Sequence, residues 1–260
     1  MLDRVTFSGF HALAGGHGRP LVFLHGFPDC PPTAAPFLEA LIDRGFRVLA
    51  PWLRGYAPSP LAGPFDLATL ASDVRAIIAA WTDERESVSI VGHDWGAVLT
   101  YALCQDLPVR RAVTLAVPPP AVFLRQLRTP RQIAHSWYMA FFQLPGSNRL
   151  VGTRFIDRLW RRWSPGFTLD EPRRAELHAC MAASLPAPLE YYRAFRRTLF
   201  DREFQRALRR PTATEILALH GAHDGCVLPP RGSEIVPDVG HFLHLEAPAA
   251  IADRVASWLE

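Results

Sequence analysis

"VGHDWGA", residues 91–97, decides how this chain reads. Glycines stand two residues before and two residues after Asp94, and the apolar run Val88-Ser89-Ile90-Val91 leads into them. A strand that turns this sharply into a helix lifts the central side chain clear of the sheet, and the lifted residue is normally a serine. Here it is an aspartate. Taken alone, the pattern also fits an Asp94 that only caps the following helix, since aspartate is a good N-cap residue.

Working outward, short β-rich runs alternate with helical patterns. Strands are expected at Pro20–Leu24, Phe46–Ala50, Val88–Val91, Arg111–Val117 and Glu215–His220, with a weaker one at Ser233–Val236. Helices are expected at Leu67–Trp81, Trp95–Gln105 and Pro248–Leu259. The pattern predicts an α/β protein with a mainly parallel central sheet covered by helices. It breaks after Val117. Pro118-Pro119-Pro120 ends the strand, and residues 121–210 read as helices interrupted by Pro130, Pro145, Pro165, Pro172 and Pro186 before the β-α pattern resumes at Pro211. The expected organisation is a core in two parts, 1–118 and 211–260, with an inserted helical cap, 119–210. Such an insertion commonly roofs a cleft at the C-terminal edge of the sheet.

The chain has 260 residues, 49% apolar and 20% charged, an ordinary globular composition. No apolar stretch approaches the roughly 20 residues that span a bilayer, and Met1-Leu2-Asp3-Arg4-Val5 lacks the build of a signal peptide. The four cysteines, Cys30, Cys104, Cys180 and Cys226, are scattered and read as reduced thiols in a cytoplasmic protein, with no metal implied. All 28 basic residues are arginines, which excludes a P-loop lysine, a Schiff-base lysine and a Ser-Lys pair. Residues 119–210 hold 17 arginines against 7 acids, and the rest of the chain holds 11 against 18. The basic residues are interspersed with acids and aromatics, as at Arg193, Arg196 and Arg197, so they read as a solvated helix face and not as a nucleic-acid surface.

Two further loops carry candidate chemistry. Asp224 lies in "LHGAHDGC" (219–226) and His241 in "VPDVGHFLHLEAP" (236–248), each at the C-terminal end of an expected strand. The chain order nucleophile, acid, histidine is that of the α/β-hydrolase fold, so Asp94, Asp224 and His241 are read as a triad. In "FLHGFPD" (23–29), Gly26 lets the backbone approach a ligand. The N–H groups of Phe27 and Trp95 are the expected oxyanion hole. His25, His93, His220 and His244 are read as loop anchors. His241 and His244 are three residues apart, but no glutamate base or third ligand makes that a zinc motif.

A carboxylate nucleophile narrows the reaction. Attack on an ester would give an anhydride, whereas attack on an electrophilic saturated carbon displaces an oxygen or a halide and leaves an ester on Asp94. Water activated by His241 then cleaves that ester at the Asp94 carbonyl. An epoxide leaves as an alkoxide and needs an acidic hydroxyl, which a tyrosine supplies. A halide instead wants N–H donors. The insertion offers Tyr138 in "SWYMAFFQLPG" and Tyr191-Tyr192 in "LEYYRAF", of which only one of the adjacent pair can face a cleft.

The combination "HGFPD", "RGYAPS" (54–59), "GHDWG", "FFQLPG", "YYR" and "GHFLHLEAP" resembles the α/β-hydrolase-fold epoxide hydrolases of the soluble type over nearly the whole chain. The resemblance implies Asp94 as nucleophile, Asp224 and His241 as its acid and base, and Phe27 as an oxyanion donor ahead of a bond to Pro28 that is often cis. It also implies that Tyr138, five residues before Gln143, and Tyr192, directly before Arg193, bind and protonate the epoxide oxygen. One departure stands out: Asp224 and His241 are only 17 residues apart, leaving no room for the helix the family usually fits there. A missing surface helix with an intact triad is expected.

The expected substrate is a small apolar epoxide, with water as co-substrate, no cofactor, no nucleic-acid or membrane partner, and a monomer or homodimer. The pocket is expected to include Pro28, Trp137, Phe141 and Phe142. The alternatives are a haloalkane or haloacid dehalogenase with the same triad, and a non-catalytic scaffold that binds a small molecule. Against a dehalogenase, Phe27 stands where haloalkane dehalogenases place an asparagine, and Trp95 stands where the fluoroacetate enzymes resemble "HDRG".

Overall fold

A computed structural model describes residues 1–83, 86–198 and 212–260. Of the readings above, the side chain of Arg197, the last residues of the insertion (199–210) and the resumption at Pro211 lie outside the described residues.

The centre of the molecule is an eight-stranded sheet in the order β1-β2-β4-β3-β5-β6-β7-β8. The strands are β1 (Leu2–Phe7), β2 (Phe10–Gly15), β3 (Arg19–Leu24), β4 (Phe46–Pro51), β5 (Ser89–His93), β6 (Ala112–Leu115), β7 (Ile216–Gly221) and β8 (Glu234–Val236). From β4 to β8 all pairings are parallel, while β1 with β2 and β2 with β4 are antiparallel. The central strands are the apolar runs of the sequence because helices cover both faces, so every residue of β5 and β6 is buried. After β3 the chain goes to β4 on one side and to β5 on the other. The crevice at that reversal is where open α/β sheets bind ligands, and the "HGFPD" and "GHDWG" loops both open into it.

The helices α1 (Ala35–Asp43), α2 (Leu67–Trp81) and α3 (Trp95–Asp106) belong to this sheet layer. Asp66 caps α2 by accepting the Thr69 N–H at 3.0 Å. Among the described residues, six α-helices lie between β6 and β7: α4 (Pro120–Gln126), α5 (Pro130–His135), α6 (Trp137–Phe141), α7 (Thr153–Trp163), α8 (Glu171–Ser184) and α9 (Leu189–Thr198). Thr129 and Asp170 cap α5 and α8, with prolines in the first turns.

Three elements escaped the sequence reading. The β1–β2 hairpin turns at Ser8-Gly9, where both residues take positive φ (49° and 80°), the geometry a two-residue hairpin needs. Helix α1 follows it in the same category. Conversely, residues 222–233 contain no helix, and β8 reaches the sheet edge through an irregular loop, as the short spacing after Asp224 required.

Candidate active site

The elbow is built as its glycines dictate. Asp94 takes φ 52° and ψ −115°, a backbone conformation costly for any residue with a Cβ. A side chain on Gly96 would run into the Leu24 carbonyl, so only glycine lets α3 start this close to β3. The strain holds the Asp94 carboxylate over the C-terminal edge of the sheet. Its Oδ1 accepts the Phe27 N–H at 2.8 Å, and its Oδ2 lies 3.6 Å from His241 Nε2. Trp95 is the first residue of α3, where backbone N–H groups have no acceptor within the helix. The Phe27–Pro28 bond is cis.

His241 and Asp224 complete the cluster. His241 Nδ1 is 2.9 Å from Asp224 Oδ2, and both side chains are fully buried. Asp224 Oδ1 accepts the N–H groups of Cys226 (2.7 Å) and Val227 (2.9 Å), so the acid is held on three sides. Burial works against charging His241, but the neighbouring Asp224 and Asp94 carboxylates outweigh it and raise its pKa to about 10. In the resting site the histidine is therefore an imidazolium between two carboxylates.

Tyr138 and Tyr192 stand over this cluster with ring centroids 5.6 Å apart and planes nearly perpendicular. Burial pushes both phenols well above the usual tyrosine range, so both remain O–H donors at neutral pH. Tyr191 points the other way and donates to the Arg54 carbonyl at 2.6 Å, which leaves Tyr192 to the cleft. Gln143 donates to the Tyr192 carbonyl at 3.2 Å and so ties α6 to α9.

Asp94, Trp95 and both tyrosines line one cavity, whose wall is completed by Val98, Val117, Pro120, Phe123, Met139 and Phe195. The four residues expected in its wall, Pro28, Trp137, Phe141 and Phe142, do not line it. Trp137 and Phe141, one turn apart in α6, share a face that packs on Phe155. Phe142 sits behind the Phe27 and Tyr192 rings, and the Pro28 carbonyl accepts the Trp160 indole N–H at 3.0 Å. Neighbouring aromatics on a short helix point to different sides, which composition alone does not reveal.

Two of the four histidines read as anchors, His25 and His93, act on the backbone, whereas the ring nitrogens of His220 and His244 have no hydrogen-bond partner among the described residues. His25 Nε2 accepts the Leu53 N–H at 3.2 Å, and His93 Nε2 donates to the His241 carbonyl at 3.0 Å. Burial lowers the pKa of His220 to about 4, so it is neutral. His244 lacks a third ligand with His241, but it does meet two other ligand types. Asp29, His93 and His244 offer ligand atoms within 4.8 Å of one another, all buried and none facing the cavity.

The contacts that hold the triad loops come from α7 and were missed. The Trp163 carbonyl accepts N–H bonds from Gly225 and His241, both at 3.0 Å. Ser164 accepts the Phe242 N–H at 3.0 Å and donates to Glu246 at 2.6 Å, and Glu246 in turn accepts the Gly240 N–H at 2.9 Å. The only forward signal was Glu246 in "HLEAP", whose partner Ser164 lies 82 residues away in the chain. A Cβ on Gly240 would stand 2.6 Å from Ser164 Cα. Gly240→Ala is therefore expected to destabilise the protein by about 1–3 kcal/mol and to lower kcat by pushing the histidine loop off α7. Chemical denaturation together with steady-state kinetics checks both; an unchanged midpoint and unchanged kcat would show the contact to be dispensable.

Fold and site together define an α/β hydrolase. The sequence matches the alpha/beta hydrolase family over residues 21–254, and the chain belongs to that family. It is 32% identical to "Epoxide hydrolase 3" of Siraitia grosvenorii over 145 residues, which is 52% of this chain and 45% of that protein. It is 26% identical to "Epoxide hydrolase 3" of Xenopus tropicalis over 283 residues, covering 96% of this chain and 74% of that protein. The chain spans about half the length of the curated relatives it matches, 49% and 42% in two further cases. A solved structure described as "Novel epoxide hydrolases belonging to the alpha/beta hydrolases superfamily in metagenomes from hot environments" is 27% identical, with a TM-score of 0.81 and coverage of 100% of this chain and 98% of that one. No helix among the described residues is long and apolar enough to cross a membrane.

Proposed function

We propose that the protein is an epoxide hydrolase that adds water to a small, largely apolar epoxide and releases a vicinal diol. The observation that carries the reading is the pairing of a carboxylate nucleophile with two neutral phenols across one apolar cavity. Relatives and a solved structure named as epoxide hydrolases support it. Under this reading residues 119–210 form a cap that supplies the phenols to a core made of 1–118 and 211–260.

In the first half-reaction, Asp94 Oδ2 attacks the less hindered epoxide carbon while Tyr138 and Tyr192 donate hydrogen bonds to the oxirane oxygen. The C–O bond breaks, one phenol transfers its proton to the alkoxide, and Asp94 becomes an ester. Ester formation removes one of the two charges that raise the His241 pKa, so the imidazolium gives up its proton, which restores the phenol through solvent, and neutral His241 is left as a general base. In the second half-reaction His241, still held by Asp224, takes a proton from water, and the hydroxide adds to the Asp94 carbonyl. Phe27 N–H, already 2.8 Å from Oδ1, and Trp95 N–H stabilise the oxyanion. Collapse releases the alkoxide, which takes the acid proton of Asp94 and leaves as the diol, and His241 remains an imidazolium between two carboxylates, as in the resting site.

The test is a panel of terminal and aryl epoxides with diol measured by chromatography, followed by a single turnover in ¹⁸O-labelled water. Because water attacks Asp94 and not the substrate, the label is expected in the protein carboxylate and the diol oxygen comes from Asp94. Diol that carries the label in the first turnover would exclude the ester route. Halide release from haloalkanes without any diol would move the assignment to a dehalogenase.

A further inference from the structure

Within this reading the two phenols are not equivalent, and the difference comes from a cysteine. Cys226 is fully buried, and its Sγ lies 3.3 Å from the Tyr138 hydroxyl. Its backbone is pinned from both sides: the N–H donates to Asp224 Oδ1 at 2.7 Å, and the carbonyl accepts the Gln132 side-chain amide at 3.0 Å. The thiol is thus fixed relative to the acid of the triad on one side and to α5 on the other. The Tyr192 hydroxyl is buried without a hydrogen-bond partner, beside the Trp95 indole and the Tyr138 phenol.

We infer that Cys226 is a positioning residue for the epoxide-opening step, acting through the Tyr138 phenol. A thiol is both a weak donor and a weak acceptor. In the empty cavity the stronger donor, the phenol O–H, points at sulfur. When an oxirane oxygen arrives, the phenol turns its proton to the substrate and its lone pair accepts the S–H. One side chain thus satisfies the phenol in both orientations, so Tyr138 exchanges partners without leaving a buried polar group unpaired. A hydroxyl would do the same; a methyl group would do neither. Burial, aided by the Asp224 and Asp94 charges, pushes the thiol well above its usual range. The sulfur therefore stays protonated and does not compete with Asp94 for the electrophile.

The inference rests on the epoxide reading for its kinetic consequence but not for the contact itself, so two measurements separate them. First, the S–H stretch of Cys226 is assigned in the infrared by difference between the wild-type protein and Cys226→Ser. In the empty site, where sulfur accepts, the band is expected near the free-thiol frequency; with an epoxide bound to Asp94→Gly it is expected to fall as the S–H donates to Tyr138, and adding Tyr138→Phe is expected to abolish that fall. Second, Cys226→Ala is expected to lower kcat for epoxide opening by about three- to tenfold, the worth of one hydrogen bond, with KM changing by less than about twofold. Cys226→Ser is expected to recover kcat to within about twofold of wild type. A band that epoxide binding leaves unmoved, or that falls equally without the Tyr138 hydroxyl, overturns the contact. A Cys226→Ala enzyme as fast as wild type, or a serine variant as slow as the alanine one, overturns the positioning role. A shifted band in a protein that opens no epoxide keeps the contact and overturns the reaction reading instead.

Discussion

Asp94→Gly is expected to abolish diol formation, a loss of at least about 10⁴-fold in kcat, in a protein that still folds. Glycine is the informative replacement because φ 52° and ψ −115° is a conformation only glycine takes without strain. Relieving that strain contributes on the order of 1 kcal/mol. It offsets the loss of the Phe27 N–H contact, which is of similar size. The thermal midpoint should therefore stay within a few degrees of wild type, and loss of activity can be read as loss of the nucleophile. Residual diol above that level would mean that water attacks the epoxide directly, with the phenols as the sole activators.

His241→Gln is expected to stop the cycle halfway. Alkylation needs Asp94 and the phenols, so the first turnover should proceed and leave the enzyme esterified. Release needs a base, and its removal lowers steady-state kcat by about 10²–10⁴-fold. Intact-protein mass spectrometry should show an increase of one substrate mass per chain, mapping to the peptide that contains Asp94. An unmodified variant that is also inactive would place His241 in the first step. A variant that turns over at the wild-type rate would remove it from the chemistry. Because glutamine leaves the buried Asp224 and Asp94 carboxylates without their shared cation, this variant should also be less stable than wild type near neutral pH. His241 is raised from 6.5 to about 10, so its stabilising charge is fully present below 6.5 and is lost as pH climbs through 10.

What the sequence made legible was whatever is local in the chain. The elbow, the two strand-end loops bearing Asp224 and His241, and the buried central strands follow from patterns a few residues long, and the sheet carries them where expected. The order of the three candidate residues along the chain then singled out their meeting place, the C-terminal edge of the sheet. The β1–β2 hairpin was readable in principle from Ser8-Gly9, but β1 is half exposed and neither strand has the apolar run that marks the central ones. The cavity wall was not readable. Trp137, Phe141 and Phe142 are as aromatic as the true lining, and only the rotation of α6 separates them from Tyr138 and Met139. Nor could the sequence reveal that Ser164 reaches Glu246, or that Cys226 reaches Tyr138, because those contacts depend on how the insertion seats on the sheet.

That seating has a mechanical consequence. The Trp163 carbonyl is shared by the loops of the acid and of the base, and Trp160 stacks on Phe242 at 3.7 Å beside it. Roof and floor are one rigid frame at this corner. Swinging α7 outward like a hinged lid would break the bonds that orient His241 and Asp224, dismantling the machinery each time a product left. Under the proposed function the smaller change lies in the side wall, where the side chains of Val98, Phe123 and Met139 border the cavity. On that reading the doorway is a set of side chains, and the width they can open sets the largest molecule that gets through.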